Sequence, residues 1–224
     1  MSLYITIYYS DSITEGWRGT QFGKERQRAA GASEVFDTLF STETGSPLDG
    51  IALGIAGDKT NNLLWRIKNG ELPPALDPSV FWVLIGTNDI GNTFCSPEMV
   101  VVGILRVVEE IKQRRPNSHV VINGLLPRTF NQDGFVTKPG KFKPSLWNDI
   151  KAINDELKLY STYREGVSYF ETNSVFYKNP DTTNDNEIQI DNNLMSDYLH
   201  PTARGYQLWG NEILDVLQRL IPDL

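Results

Sequence analysis

Val80-Phe81-Trp82-Val83-Leu84-Ile85-Gly86-Thr87-Asn88-Asp89 is the stretch whose reading decides the fold. The run from Val80 to Ile85 is wholly apolar or aromatic, the pattern of a strand buried on both faces of a parallel sheet. The polar residues that follow therefore lie beyond a strand's C-terminal end, the edge at which open α/β sheets bind ligands. The same pattern recurs on either side. Leu3 to Tyr8 runs into Tyr9-Ser10-Asp11-Ser12-Ile13-Thr14-Glu15, and Gly50-Ile51-Ala52-Leu53-Gly54 ends in Gly54-Ile55-Ala56-Gly57-Asp58. Further along, His119 to Asn123 leads to Gly124-Leu125-Leu126-Pro127-Arg128, and Val167 to Phe170 is a short fifth strand.

Helical patterns alternate with these strands. Glu25 to Phe40 has Val35, Phe36, Leu39 and Phe40 on one face, and Asp58 is placed to cap a helix carrying Leu63, Leu64 and Ile67 that Gly70 and Pro73-Pro74 stop. Ser96-Pro97-Glu98 opens a helix to about Arg115, another covers Ser145 to Tyr163, and Pro201 to Leu220 is amphipathic. Strand–helix alternation of this kind predicts an α/β fold, a parallel sheet with helices on both faces. With neither an interdomain linker nor a solenoid repeat, residues 1–224 are expected to form a single domain. Two long polar segments interrupt the pattern, Thr129 to Pro144 and Lys178 to Asn193; loops of that length tend to be lids or binding surfaces. The second sets one lysine against Asp181, Asp185, Glu187 and Asp191 and reads as a solvated loop.

Composition narrows the function. No apolar run approaches the roughly 20 residues that span a bilayer, so no membrane span is expected. The formal charge of −7, with no cluster of Lys and Arg interleaved with aromatics, argues against nucleic acid as a partner. Cys95 is the only cysteine, so no intrachain disulfide can form, and with two histidines a His/Cys metal site is not expected. The opening residues lack a basic stretch followed by an apolar run and a small-residue cleavage site, which gives a cytoplasmic expectation. No Gly-x-x-x-x-Gly-Lys-Ser/Thr loop is present, leaving a nucleotide or flavin binder to fold analogy alone.

Ser12, just past a strand, is the candidate nucleophile, although an Asp-Ser pair there also reads as a turn or helix N-cap. A serine hydroxyl needs a base, and that base needs an orienting group. His119 begins an apolar strand at the opposite sheet edge and reads as structural. His200 lies in Ser196-Asp197-Tyr198-Leu199-His200-Pro201, where a helical turn would bring Asp197 beside Nδ1 and leave Nε2 for Ser12. The alternative is a capping aspartate and a surface histidine. The backbone N–H groups of Ser12 and Gly57 and the side-chain amide of Asn88 each follow a predicted strand and could converge on an oxyanion. Gly57 and Asn88 read equally well as turn residues.

In this order, Asp11-Ser12-Ile13, Gly57, Gly86-Thr87-Asn88-Asp89 and Asp197-x-x-His200 resemble the blocks of the SGNH (GDSL-type) hydrolase family. Gly54 to Thr60, Leu64-Trp65-Arg66-Ile67, Asn69-Gly70-Glu71-Leu72 and Gly124 to Arg128 are similar to the catalytic subunits of intracellular platelet-activating-factor acetylhydrolase within that family. The resemblance implies a flavodoxin-like three-layer α/β/α fold with a five-stranded sheet ordered 2-1-3-4-5. It implies a serine esterase that works without cofactor or metal on a small-molecule ester through an acyl-Ser12 intermediate. Ser12, Asp197 and His200 would then be catalytic, and Ser12, Gly57 and Asn88 the oxyanion hole. Ile13, Thr87 and Leu199 match an apolar cup limited to acetyl-sized groups. Members of the subfamily pair with one another, so a homodimer is possible, and with a β-propeller regulator. A catalytically silent binding subunit, a lysophospholipase and a carbohydrate acetylesterase of the same fold are the alternatives. Ser10 stands where the family has glycine, which predicts an adjusted nucleophile turn. The acidic loop, if it flanks the site, would disfavour anionic substrates.

Overall fold

The structure is a computed structural model that describes residues 5–171 and 173–221. Leu3 and Tyr4, the start of the first predicted strand, lie outside the described residues. Strands β1 (Ile5–Ser10), β2 (Asp49–Gly54), β3 (Val80–Leu84), β4 (His119–Asn123) and β5 (Val167–Phe170) form a parallel sheet in the order β2-β1-β3-β4-β5. That order is the expected 2-1-3-4-5. Ser10 at the end of β1 is in register with Gly54 and with Leu84. The turns that follow β1, β2 and β3 therefore leave the sheet at one level of one edge.

Five helices cover the sheet: α1 (Ala32–Phe40), α2 (Thr60–Arg66), α3 (Pro97–Arg114), α4 (Trp147–Tyr163) and α5 (Ala203–Leu220). α1 packs against α5, and α3 lies between α2 and α4. Alternation along β1 divides its side chains between the two layers. Tyr8 meets Phe36 and Phe40 of α1, with ring centroids 5.6 and 5.1 Å away. Tyr9 stacks on Phe81 and donates to the carbonyl of Glu71 just past α2. Buried Asn123 ties β4 to its neighbours, its Oδ1 accepting from Trp82 Nε1 at 3.0 Å and from Trp209 Nε1 of α5 at 3.2 Å.

The helices read from Ser145 and Pro201 begin two residues later, at Trp147 and Ala203, and two other helix starts differ from the sequence reading in kind. α1 begins at Ala32, after Gly31 in the left-handed region (φ 84°). Residues 25–28 supply only polar side chains; Lys24–Glu25 pairs with Thr20–Gln21 as a two-residue ladder, and a single 3-10 turn spans Gln27–Ala29. α2 begins at Thr60 with Lys59 as N-cap, because the Asp58 carboxylate is held instead by Arg66 at 2.8 Å. The two long polar segments pair with each other: Val136 N–H donates to Ile188 O and Ile190 N–H to Gly134 O, which buries Val136, Ile188 and Ile190. No helix among the described residues is long and apolar enough to cross a membrane.

Candidate active site

The nucleophile turn follows from the end of β1. Asp11 caps a one-turn helix, Ser12–Glu15, by accepting from Ile13 N–H at 2.9 Å, and this raises Ser12 at the sheet edge. Gly54 makes the fit possible. A Cβ there would lie 2.3 Å from Glu15 N and 2.4 Å from Asp11 O, so only glycine lets β2 end against this helix. Ser10 has no left-handed backbone, so serine in the family's glycine position adds no strain to the turn. Ser10 is fully buried, and its hydroxyl donates to Asp11 Oδ1 at 3.5 Å.

Ser12 Oγ lies 2.9 Å from His200 Nε2, and His200 Nδ1 lies 2.7 Å from Asp197 Oδ2. The contact between Asp197 and His200 does not come from a helical turn. Asp197 Oδ1 instead accepts from the backbone N–H of Leu199 at 3.2 Å and of His200 at 2.8 Å, while Tyr198 between them takes a left-handed φ of 55°. Burial raises the Asp197 pKa, but the hydrogen bonds and charge of His200 together with Arg28, whose Nε is 3.5 Å away, outweigh it and hold the carboxyl down to about 2. An ionised Asp197 accepts a hydrogen bond from Nδ1–H, which leaves Nε2 without a proton and free to accept from the Ser12 hydroxyl. His119 is remote from this chain and bonds Ser168 Oγ at 2.9 Å.

The oxyanion candidates lie on the adjacent turns. Gly57 is exposed with φ 87°, a conformation that suits glycine, and Phe22 lies over it. Asn88 stands in a short helix, Thr87–Asn92, directly after β3. Its Oδ1 accepts from Asn92 at 2.9 Å, which turns Nδ2 towards the Asp58 carbonyl at 2.9 Å and Asp11 Oδ2 at 3.4 Å. Of the acyl-cup candidates, Ile13 and Thr87 are buried and Leu199 is half-buried.

Sequence reading missed three supporting residues. Glu15 is buried and accepts from Gly23 N–H and Ala56 N–H, each at 2.7 Å, fastening the Gly57 turn to the nucleophile helix. Its pKa is lowered: burial opposes ionisation, but these backbone donors win. Arg66 joins Asp58 to the carbonyls of Ser10 and Leu53. Arg128 is buried and donates through Nη1 to Thr87 O at 2.7 Å and Thr87 Oγ1 at 3.1 Å. Arg66 and Arg128 both stand in stretches quoted for the family resemblance, without a role assigned to either; Glu15 acts through backbone N–H groups.

A hydroxyl, imidazole and carboxylate thus stand in hydrogen-bonded series at the ligand edge of a parallel α/β sheet, the arrangement that ester hydrolysis through a serine requires. The sequence profile of the GDSL-like Lipase/Acylhydrolase family matches residues 11–208, and the chain belongs to that family and is a carboxylic ester hydrolase. It is 29% identical over 188 residues to platelet-activating factor acetylhydrolase IB subunit alpha1 of Bos taurus, covering 84% of this chain and 69% of the relative. To the alpha2 subunit of Homo sapiens it is 30% identical over 190 residues, covering 85% and 71%. Among solved structures, a GDSL-like lipase from Bacteroides thetaiotaomicron superposes with a TM-score of 0.67 at 18% identity, over 97% of this chain and 89% of the other. Est24, a carbohydrate acetylesterase from Sinorhizobium meliloti, gives 0.64 at 17% identity, over 97% and 100%.

Proposed function

We propose that the chain cleaves short-acyl esters, acetyl esters foremost, through an acyl-Ser12 intermediate. The observation that carries this reading is the continuous series Ser12 Oγ–His200 Nε2–His200 Nδ1–Asp197 Oδ2, with links of 2.9 and 2.7 Å. Ser12 Oγ attacks the ester carbonyl carbon as its proton passes to Nε2, and Asp197 stabilises the imidazolium that forms. The N–H groups of Ser12 and Gly57 and the amide of Asn88 take the charge on the carbonyl oxygen. Collapse breaks the bond to the alcohol oxygen, which leaves with the proton from His200. Water then repeats the sequence in reverse and frees the acid. Ile13, Thr87 and Leu199 enclose the acyl group. The names of the alpha1 and alpha2 relatives, both acetylhydrolases, support an acetyl-sized cup.

Two measurements test this. Ser12→Ala is expected to abolish p-nitrophenyl acetate hydrolysis and labelling by an organophosphonate; a variant as active as the parent overturns the nucleophile assignment. Profiling p-nitrophenyl esters from C2 to C8 should show the highest kcat/KM at C2. A maximum at C6 or beyond contradicts the small cup.

A further inference from the structure

We propose that Arg28 is a positioning residue that holds the Asp197–His200 pair ready for proton transfer, a reading that rests on the acyl-serine assignment above. Arg28 Nε lies 3.5 Å from Asp197 Oδ2, the same oxygen that accepts from His200 Nδ1 at 2.7 Å. The other oxygen, Oδ1, is filled by the backbone N–H groups of Leu199 and His200. Arg28 thus sets a cation against the oxygen that meets the imidazole. The Asp197 side chain is 43% exposed, so burial alone does not fix it.

The Arg28 side chain is mostly buried, its Nη1 and Nη2 have no hydrogen-bond partner, and among the described residues Asp197 is the only carboxylate within 4 Å of it. A cation withdrawn from water is costly unless an opposite charge offsets it, and here that charge is Asp197. The segment that carries Arg28 is pinned. Thr20 Oγ1 and Gly23 N–H donate to Glu15 at 3.1 and 2.7 Å, and Arg26 N–H donates to Gly19 O at 3.0 Å. Beyond the 3-10 turn Gln27–Ala29, in which Ala29 is fully buried, Gly31 leads into α1. Residues 19–31 therefore join the end of the Ser12 helix, through Glu15, to Asp197, through Arg28.

Two effects on His200 follow. By restraining Oδ2, Arg28 keeps Nδ1–H donating to Asp197 and Nε2 turned to Ser12. Its positive charge also opposes formation of the imidazolium, against the Asp197 charge that favours it. Removing that charge makes the imidazolium easier to form and moves the acid limb of the rate profile to higher pH. The other ionisable groups coupled to this pair are Arg128 after β4, Tyr206 of α5, and Asp11 and Glu15 of the nucleophile turn. Burial lowers Arg128 to about 10 and raises the Tyr206 phenol, so both keep one charge state from pH 5 to 8. Glu15 stays ionised there, its backbone donors outweighing burial. Asp11, pushed up to about 7 by burial, titrates inside that range, but it does so in the parent and in Arg28 variants alike, so their comparison isolates Arg28.

The test separates the charge of Arg28 from its bulk, since Arg28→Gln removes the charge and keeps a donor while Arg28→Lys keeps the charge. In Arg28→Gln, kcat for p-nitrophenyl acetate should fall about tenfold with KM unchanged. The acid limb of its kcat/KM profile should move up by about half a pH unit. Arg28→Lys should keep the parent's limb and recover most of kcat. An unmoved limb in Arg28→Gln, equal shifts in the two variants, or a loss expressed only in KM each overturns the proposal. Proton NMR titration of the His200 ring in Ser12→Ala, with and without Arg28→Gln, reads the same upward shift without turnover. That shift together with hydrolysis that does not need Ser12 overturns the acyl-serine reading and supports this one; its absence, with hydrolysis that needs Ser12, overturns this one alone.

Discussion

Asp11 does two things at the residue before Ser12, the proposed nucleophile: it caps the Ser12 helix through Oδ1 and accepts from Asn88 Nδ2 through Oδ2. Burial pushes its pKa up to about 7, against the hydrogen bond from Ile13 and the charge of Arg128, which lower it. In the unfolded chain the same carboxyl titrates near 4. Between these values the folded state holds a proton that the unfolded state has lost, so stability falls as pH rises from about 4 to about 7 and is level above. Three pKa units correspond to ~4 kcal/mol. Asp11→Asn keeps the cap and removes the titration. Urea unfolding at pH 4.5 and 8 should therefore show a smaller pH-dependent loss in the variant, and equal losses would show that Asp11 is ionised throughout. Asp197 has the opposite sign: held down to about 2, it stabilises the fold above about pH 4, and that contribution is lost as pH falls towards 2.

At the scale of the element, the site depends on how closely β2 approaches the nucleophile helix. Gly54→Ala would place a Cβ 2.4 Å from Asp11 O, and both neighbours are backbone that cannot rotate away. The expected cost is about 2 kcal/mol in denaturant unfolding. Because Ser12 must move, kcat should fall by about 100-fold; a stable, fully active variant would show that the helix can tilt without disturbing the Ser12–His200 contact. The elements themselves were largely legible in the sequence. β3 announced itself by an unbroken apolar run, and β4 and β5 match their expected bounds. Order 2-1-3-4-5 came from resemblance rather than from periodicity, since alternation alone leaves the neighbours of each strand open. Asp197 beside His200 was also legible, but an Asx-type turn through Tyr198 makes the contact, and spacing cannot tell that from a helical turn. The role of Glu15 was not legible, and that of Arg66 only as part of a resembling stretch, because Glu15 grips backbone N–H groups and Arg66 joins the Asp58 carboxylate to the Ser10 and Leu53 carbonyls, positions that exist only in the fold.

At the scale of the molecule, the hydroxyl and its base are 188 residues apart and meet only if the first strand and last helix dock. Their docking has its own contacts. Tyr206 of α5 donates to Ile13 O at 2.6 Å, and Trp209 of α5 stacks on Trp17 with ring centroids 5.5 Å apart. β1 lies inside the sheet with β2 on one side and β3 on the other, so no cut of the chain leaves a half with both β1 and α5 and the strands that seat them. On these grounds the chain should unfold as one cooperative domain. Fluorescence allows a direct check, because Trp17 and Trp209 emit together with Trp65, Trp82 and Trp147 and report the folded core, while ester hydrolysis reports the assembled site. Both signals should share one urea midpoint, and two separated transitions would divide the chain into independently folding parts. Tyr206→Phe sharpens the test: it removes one buried hydrogen bond and should cost about 1 kcal/mol. Both curves should then move together to lower urea; an activity curve that shifts alone would mean that α5 can loosen from the nucleophile turn while the sheet stays folded.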